Sequence, residues 1–157
     1  MIALIVAYSK NKVIGDKGII PWKIKGEQKR FKELTEGNIV VMGRRSYEEI
    51  GKPLPNRTTI VVSSTKNFDG TNCMTAASLK KALELAGNRD VFISGGFRLY
   101  QEALPLVEKM YITEIGINIP GDTYFPDFNE HEFEKENVLR VYGEIPYTYV
   151  TYHRKRS

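Results

Sequence analysis

The hydrophobic positions of the chain form short continuous runs that alternate with amphipathic segments. The opening run, MIALIVAY, is apolar and rich in β-branched residues, which is typical of a strand buried on both faces. Similar runs recur, and the last one, EIPYTYVTYHRK, alternates in the way of an antiparallel edge or hairpin strand. The strands predicted in this way span residues 1–8, 38–43, 58–64, 90–96, 109–117 and 144–155.

The amphipathic segments predict helices with recognisable ends. Ser78 is a suitable N-cap for the helix that precedes Gly87, and Gly37 and Gly51 are suitable stops for two earlier helices. The predicted helices span residues 26–36, 44–50, 79–86 and 97–104.

The remaining segments complete the prediction of the fold. Residues 9–22 contain two glycines and a proline without periodic structure, so we interpret them as a functional loop such as a lid. Residues 52–57, KPLPNR, are interpreted as a turn, because each proline disfavours helix at the preceding residue. The alternation predicts one α/β domain over residues 1–157, with a mostly parallel central sheet, an antiparallel C-terminal strand and flanking helices.

One acidic residue interrupts an apolar helical stripe. Ile24, Phe31 and Leu34 have helical spacing, and the missing member of that stripe is Glu27. A first-turn glutamate that points to water would explain the position, because it favours the helix dipole. A carboxylate on a buried face must instead be paired or used. The apolar neighbours on the same face favour the second interpretation, a functional acid.

The composition is that of a globular chain without metal-binding motifs. Of 157 residues, 41% are hydrophobic and 27% are charged, and the net charge is +4. The positive charge favours anionic partners, without distinguishing nucleic acid from phosphorylated cofactors or carboxylates. A single cysteine, Cys73, and the absence of CxxC or histidine clusters lead us to expect a metal-free protein of the reducing cytoplasm. No apolar run is long enough to predict a membrane span.

The double glycine Gly95–Gly96 lies between a predicted strand and a predicted helix. Free backbone N–H groups and the positive end of a helix dipole suit an anion, and missing Cβ atoms let a ligand approach the backbone closely. A tight strand–helix turn explains the same pair equally well. The two glycines alone therefore leave both interpretations open.

The ends of the predicted strands 38–43 and 58–64 also carry groups that suit an anion, here basic and hydroxyl side chains. Basic residues at a helix start oppose the dipole, and an anionic ligand would offset them. Because the carboxyl ends of parallel strands meet at one edge of a sheet, the three strand ends together favour a phosphate ligand. The fingerprint G-x-G-x-x-G is absent, which indicates a different kind of dinucleotide site. The residues concerned are Gly43, Arg44, Arg45 and Ser46 after one strand, and Ser63 and Ser64 after the next.

Several blocks of the chain, taken together and in order, resemble dihydrofolate reductases along essentially the whole length. They are VIG and PW, VVMGRRSYEEIGKPLPNR, VVSS, ISGGFRLY, YITEI and GDTYFPDF, with an acid five residues after Trp22. The resemblance implies NADPH-dependent reduction of 7,8-dihydrofolate to tetrahydrofolate in support of one-carbon metabolism. It also implies binding of antifolate inhibitors, and we expect a monomer.

The resemblance assigns the substrate pocket. In the family the acid of the first helix, here Glu27, binds the pterin and favours protonation at N5, while the nicotinamide delivers hydride to C6. Trp22 would help to hold an ordered water, and Thr113 would bridge to the acid. Arg57, which we expect to be exposed, would bind the carboxylate of the glutamate tail with its planar fork. The other substrate-binding residues implied are Ile5, Phe31, Lys32, Ile50 and Leu54.

The resemblance also assigns the cofactor site. The double glycine, joined by a cis peptide, would meet the pyrophosphate, and the other two strand ends would hold the rest, including the 2′-phosphate. The cofactor-binding residues implied are Ala7, Ile14, Gly15, Gly18 and Ile20 around the nicotinamide half, Gly43, Arg44, Arg45, Ser46, Ser63 and Ser64 at two strand ends, and Gly95, Gly96, Phe97, Arg98, Leu99 and Tyr100 at the third.

Three features depart from the pattern of many bacterial members. Glu27 replaces aspartate, Gln28 and Arg30 replace apolar residues, and Ser94 stands where isoleucine or valine is common. In these features the chain is more similar to the trimethoprim-insensitive, mobile-element-type subset, so we expect trimethoprim insensitivity. The alternative is an ordinary trimethoprim-sensitive housekeeping reductase.

Two other functions are weaker interpretations. A pyrimidine reductase of riboflavin synthesis shares the fold but has no reason to keep Glu27, Trp22 and Arg57 together. A basic RNA-binding module should cluster its cations on one face beside exposed aromatic residues. Here the cations are scattered, apart from the terminal HRKRS, so we expect no specific nucleic-acid binding.

Overall fold

A sheet of eight strands forms the centre of the protein in the computed structural model, which describes residues 1–15 and 25–155. Continuous apolar runs form its inner strands, because a strand covered on both faces has no solvent side for polar residues. Two short strands form a separate ribbon. The strands are β1 (Ile2–Tyr8), β2 (Val13–Gly15), β3 (Ile39–Gly43), β4 (Thr58–Val62), β5 (Cys73–Ala76), β6 (Val91–Ile93), β7 (Lys109–Ile115), β8 (Thr123–Tyr124), β9 (Phe133–Val141) and β10 (Tyr147–Arg154).

Seven of the eight strands run in the same direction. The order across the sheet is β5-β4-β3-β6-β1-β7-β10-β9, and only β10 runs in the opposite direction, antiparallel to both β7 and β9. The carboxyl ends of β4, β3, β6, β1 and β7 therefore lie on one edge of the sheet. The predicted fold class, a mostly parallel sheet with an antiparallel C-terminal strand, is confirmed.

Helices connect the parallel strands at the predicted places. The Ser78 side chain accepts a hydrogen bond from the backbone N–H of Lys81 as an N-cap, and Gly51 ends its helix in the left-handed conformation with φ of 79°. No helix of residues 1–15 and 25–155 is long and apolar enough to cross a bilayer. The helices are α1 (Lys25–Thr35), α2 (Arg44–Ile50), α3 (Leu79–Ala86) and α4 (Phe97–Ala103), with a 3₁₀ turn at Glu130–Glu132.

Both faces of the sheet are covered. Successive residues of β1 point to opposite faces, so Leu4 joins a cluster with residues of α3 and α4, while Ile5 packs towards α1. Phe31 and Leu34 of α1 pack against the core, as their helical spacing predicts. Helix α1 therefore covers the sheet on the face that carries Ile5.

The sequence analysis missed four strands. β2 lies inside the segment interpreted as an unstructured loop, and Val13 pairs with Tyr124 of β8. β5 extends the sheet beyond β4, and β9 rather than β10 is the outer strand. β2, β5 and β8 are short and depend on distant partners, and β9 is exposed on both sides along most of its length, so local hydrophobic periodicity does not reveal them.

Candidate active site

The ends of β3 and β6 meet directly through their backbones. The N–H of Gly43 donates a hydrogen bond of 2.8 Å to the carbonyl oxygen of Gly95. A Cβ placed on Gly43 would lie 3.6 Å from this oxygen and 3.6 Å from the nitrogen of Gly96. The Gly95–Gly96 peptide is cis. The two strand ends therefore meet through backbone atoms, and a Cβ at Gly43 would make only ordinary van der Waals contacts with this peptide.

The first turns of α2 and α4 enclose this contact. A Cβ placed on Gly95 would lie 3.4 Å from Ser46 Oγ and 3.4 Å from the Tyr100 hydroxyl oxygen. Tyr100 is buried, and its hydroxyl donates a 2.9 Å hydrogen bond to the carbonyl oxygen of Ile5 in β1. Leu99 is also buried. These buried side chains thus fix α4 against the sheet.

The basic start of α2 is partly neutralised within the protein. Arg44 Nε donates to Glu48 Oε1 at 2.8 Å, and Arg44 Nη1 donates to Thr65 Oγ1 at 3.1 Å. This hydrogen bond from Arg44 lowers the pKa of the Glu48 carboxyl. Glu48 therefore supplies part of the compensation that the sequence analysis assigned to a ligand, and its i,i+4 spacing from Arg44 was the signal that could have revealed it.

The other predicted phosphate-binding residues stand at the same edge with different exposure. Thr65, the partner of Arg44, comes one residue after Ser64, so the start of α2 and the end of β4 are joined. Ser63 is half-buried, and its hydroxyl oxygen accepts a 3.1 Å hydrogen bond from the N–H of Lys66. Arg45 and Ser64 are exposed. The sheet edge thus presents the hydroxyl and guanidinium groups that the sequence pattern suggested.

Arg57 is buried, and the expectation that it would be exposed is wrong. Its exposed fraction is 7%, because the turn that contains it folds against the end of α1. Arg57 Nε donates to the Pro55 carbonyl oxygen at 2.9 Å, and Nη1 donates to Thr35 Oγ1 at 3.1 Å. Burial lowers the pKa of the Arg57 guanidinium below its usual value, and the nearby Glu36 carboxylate offsets only part of this shift. Such a guanidinium stays charged and is held in one orientation, which suits a carboxylate ligand.

Apolar residues beside Arg57 form a continuous surface. Phe31 and Leu54 both pack against the cluster that includes Val40, and Phe31 also packs against the cluster that includes Ile5. The Arg57 guanidinium carbon lies 5.9 Å from the Phe31 ring centroid. The structure therefore brings four predicted substrate residues together. Lys32 and Ile50 differ, since both are exposed on their helices.

Thr113 and Ala7 lie side by side on neighbouring strands. They are direct partners in the parallel ladder of β7 and β1, and Thr113 has an exposed fraction of only 3%. A buried threonine hydroxyl next to a small residue can serve a ligand that enters at this edge.

Comparison with known proteins identifies the family. The family model described as dihydrofolate reductase matches residues 1–154 of the chain. The chain belongs to the dihydrofolate reductase family. The resemblance in the sequence blocks is thereby confirmed, and with it the prediction of an oxidoreductase of this family.

Individual dihydrofolate reductases are similar over most of their length. Dihydrofolate reductase type A13 of Escherichia coli is 38% identical over 99% of this chain and 96% of its own length. Dihydrofolate reductase type 3 of Salmonella typhimurium is 42% identical over 82% of this chain and 80% of its own length. A solved dihydrofolate reductase from Enterococcus faecalis, complexed with NADP(H) and RAB-propyl, has a TM-score of 0.92 and 34% identity, covering 99% of this chain and 97% of its own.

The remaining predicted site residues belong to the first loop and to the starts of α1 and α4. Gly18, Ile20 and Trp22 lie outside the described residues, and so does the side chain of Glu27, although its backbone belongs to α1. Phe97 and Arg98 are exposed at the start of α4. Ile14 is half-buried on β2 and packs against the main core cluster, and Gly15 is the last residue of that strand.

A side chain at Gly95 should destabilise this dihydrofolate reductase. Gly95 has φ of +122°, which L-amino acids rarely adopt, so an added methyl group is strained there even though its nearest neighbours, Ser46 Oγ and the Tyr100 hydroxyl oxygen, would lie at 3.4 Å. Gly95→Ala should lower the free energy of unfolding by about 1–3 kcal/mol in chemical denaturation. The control is Gly70→Ala, whose added Cβ would have its nearest neighbour at 4.0 Å. Equal stability of the two variants would contradict the account of this contact.

Proposed function

We propose that the chain catalyses the NADPH-dependent reduction of 7,8-dihydrofolate to 5,6,7,8-tetrahydrofolate. Family membership supports the activity, and one structural observation carries the assignment of the site. This observation is the backbone contact between Gly43 and Gly95, which places the half-buried Gly43 and Gly96 beside Ser46 and the basic start of α2. Glycine backbone with nearby hydroxyl and guanidinium groups fits a pyrophosphate with an additional phosphate.

The cofactor would be held by three strand ends. Backbone at the double glycine would meet the pyrophosphate, while Arg44, Arg45, Ser63 and Ser64 would bind the 2′-phosphate. The nicotinamide half would lie near Ala7 at the end of β1. When bound there, NADPH supplies the hydride that reduces C6 of the substrate.

The substrate would lie between α1 and the edge of β1 and β7. Arg57 would bind a carboxylate of the glutamate tail, because its guanidinium is already oriented by Pro55 and Thr35. Phe31 and Leu54 would contact the aminobenzoyl group through the apolar surface that they form. Ile5 and Thr113 would contact the pterin from the sheet, and Lys32 and Ile50 would contact the outer part of the substrate.

Glu27 would support the protonation of N5. Its backbone belongs to α1, four residues before Phe31, which packs against the core. A carboxylate there would hydrogen-bond the pterin and favour the protonated form at N5, with Trp22 helping to hold a water that carries the proton. Thr113 would share a hydrogen bond with this carboxylate.

Removal of the charge at Glu27 tests this role. Glu27→Gln should leave NADPH affinity unchanged and reduce turnover at neutral pH by about 100-fold or more, because an amide cannot favour protonation in the same way. Activity should recover partly in acid, where solvent protonates the substrate directly. The measurement is the pH profile of NADPH oxidation with dihydrofolate. Near-normal turnover at neutral pH would exclude Glu27 from proton delivery.

The basic residues after β3 should select NADPH over NADH. Each charge-assisted hydrogen bond to the 2′-phosphate contributes about 1.5–3 kcal/mol. The double substitution Arg44→Ala and Arg45→Ala should therefore raise the KM for NADPH by about 10-fold or more and spare the KM for NADH. Arg140→Ala, on the exposed strand β9, is the matched control. An equal rise for both nucleotides would show that these arginines do not read the 2′-phosphate.

Trimethoprim insensitivity is a second part of the proposal. Trimethoprim is a diaminopyrimidine, which would pair with the same carboxylate as the pterin and direct a second amino group towards the carbonyls of Ile5 and Ser94. The longer arm of Glu27 moves the anchoring carboxylate by about one methylene, and Ser94 offers less apolar contact than isoleucine. Dihydrofolate would be affected less, because Arg57 holds a carboxylate that the drug lacks.

The inhibition constant for trimethoprim decides between insensitivity and an ordinary sensitive reductase. Each lost methyl-sized contact is worth roughly 0.8 kcal/mol, so inhibition should be weakened roughly 10- to 1,000-fold in total. Ser94→Ile should restore part of this affinity while the KM for dihydrofolate changes little. A nanomolar constant for the unsubstituted enzyme would contradict insensitivity and leave the reductase assignment intact.

A further inference from the structure

Helix α1 is held over the sheet by an arginine–aromatic contact on each flank. On the β4 side, Arg57 lies against Phe31 and donates a hydrogen bond to Thr35. On the other side, the guanidinium carbon of Arg30 lies 3.8 Å from the ring centroid of Tyr149 in β10. This distance is that of direct stacking, and both side chains are half-buried.

Tyr149 belongs to a row of residues that ends at the proposed substrate site. It is the direct partner of Thr113 in the ladder of β10 and β7, and Thr113 is in turn the partner of Ala7 in β1. Directly paired residues project from the same face of a sheet. The Tyr149 ring is supported by Tyr147, with ring centroids 5.2 Å apart. The partner of Arg30 is therefore anchored in the same row as Thr113.

We propose that the stack of Arg30 on Tyr149 is a positioning contact that sets how closely α1 approaches Thr113, and thereby the affinity for dihydrofolate. The inference rests on the proposed function. Phe31, Leu34 and Thr35 hold the C-terminal half of α1, whereas Arg30 is one turn from Glu27. Movement of this turn changes the distance between the helix and β7, which is the width of the substrate site.

The chemistry of position 30 supports a specific role for arginine. A guanidinium is planar and weakly hydrated, so it lies flat on an aromatic ring, whereas a lysine ammonium is a compact and strongly hydrated charge. The contact of Arg30 with Tyr149 adjoins the proposed substrate site only, because the residues proposed for phosphate binding lie at the ends of β3, β4 and β6. Loss of the stack should consequently weaken the binding of dihydrofolate and leave the binding of NADPH unchanged.

The experiment compares equilibrium dissociation constants for dihydrofolate and for NADPH in a set of variants. Arg30→Met keeps much of the side-chain length and removes the guanidinium, and Tyr149→Leu removes the ring. Each should raise the dissociation constant for dihydrofolate about tenfold and leave that for NADPH within about twofold. The double variant should be no worse than either single variant, because both remove the same contact.

Two controls separate this role from general loss of structure. Tyr149→Phe retains the ring and should retain the affinity for dihydrofolate. Lys29→Met removes a neighbouring cation that is exposed and paired only with exposed Glu33 among the contacts of the described residues, and it should have no effect. Thermal unfolding of every variant establishes that it is folded.

Several results would overturn the inference. One is an equal loss of affinity for NADPH and for dihydrofolate. The others are an unchanged affinity for dihydrofolate in the single variants, or losses of affinity for dihydrofolate that add in the double variant. The unsubstituted enzyme separates this inference from the proposed function. Failure to oxidise NADPH in the presence of dihydrofolate would overturn the function itself, whereas normal oxidation with unaffected variants would overturn only the role of Arg30 and Tyr149.

Discussion

The hydrogen bond from the Gly43 N–H to the Gly95 carbonyl oxygen is the contact on which the proposed cofactor site depends. It joins β3 to β6, two neighbouring strands whose ends lie about fifty residues apart in the chain, at the point where α2 and α4 begin. Ser46 and Tyr100 lie close to Gly95, whose φ of +122° favours glycine. A side chain at Gly95 would therefore strain the backbone at the point where the elements that carry the proposed phosphate ligands meet.

The side of the proposed site that would hold the substrate depends on the buried guanidinium of Arg57. Arg57 is held by Pro55 and Thr35, so its guanidinium is oriented without a ligand. Binding a carboxylate therefore requires little reordering of this side chain, which reduces the entropic cost of association. Phe31 links this arginine to the apolar surface under α1. The two sides of the proposed site thus differ in kind, with glycine backbone proposed for phosphate and an oriented cation proposed for the substrate tail.

Features that depend on local sequence were predicted well. The buried strands, the Ser78 cap and the glycine stops each follow from the conformational preferences of the residues themselves. The apolar spacing of Phe31 and Leu34 likewise indicated which face of α1 is buried. Each of these features is determined by residues close together in the sequence, so it can be predicted without knowledge of the fold.

Features that depend on distant partners were missed or wrong. Arg57 was expected to be exposed because surface arginines are common, and nothing near it in the sequence reveals Thr35 as its partner. The pairing of β2 with β8 joins segments about a hundred residues apart, and the contact of Arg30 with Tyr149 is equally remote. These contacts form only when the sheet brings its elements together, so a local pattern cannot predict them.

The transfer of hydride to the substrate tests the central claim most directly. NADPH that carries deuterium at the transferred position of the nicotinamide should be consumed in equal amount to the tetrahydrofolate formed, and the deuterium should be found at C6 of the product. This result would establish both the activity and the meeting of the two sites. Absence of dihydrofolate-dependent NADPH oxidation, or product without deuterium at C6, would contradict the account.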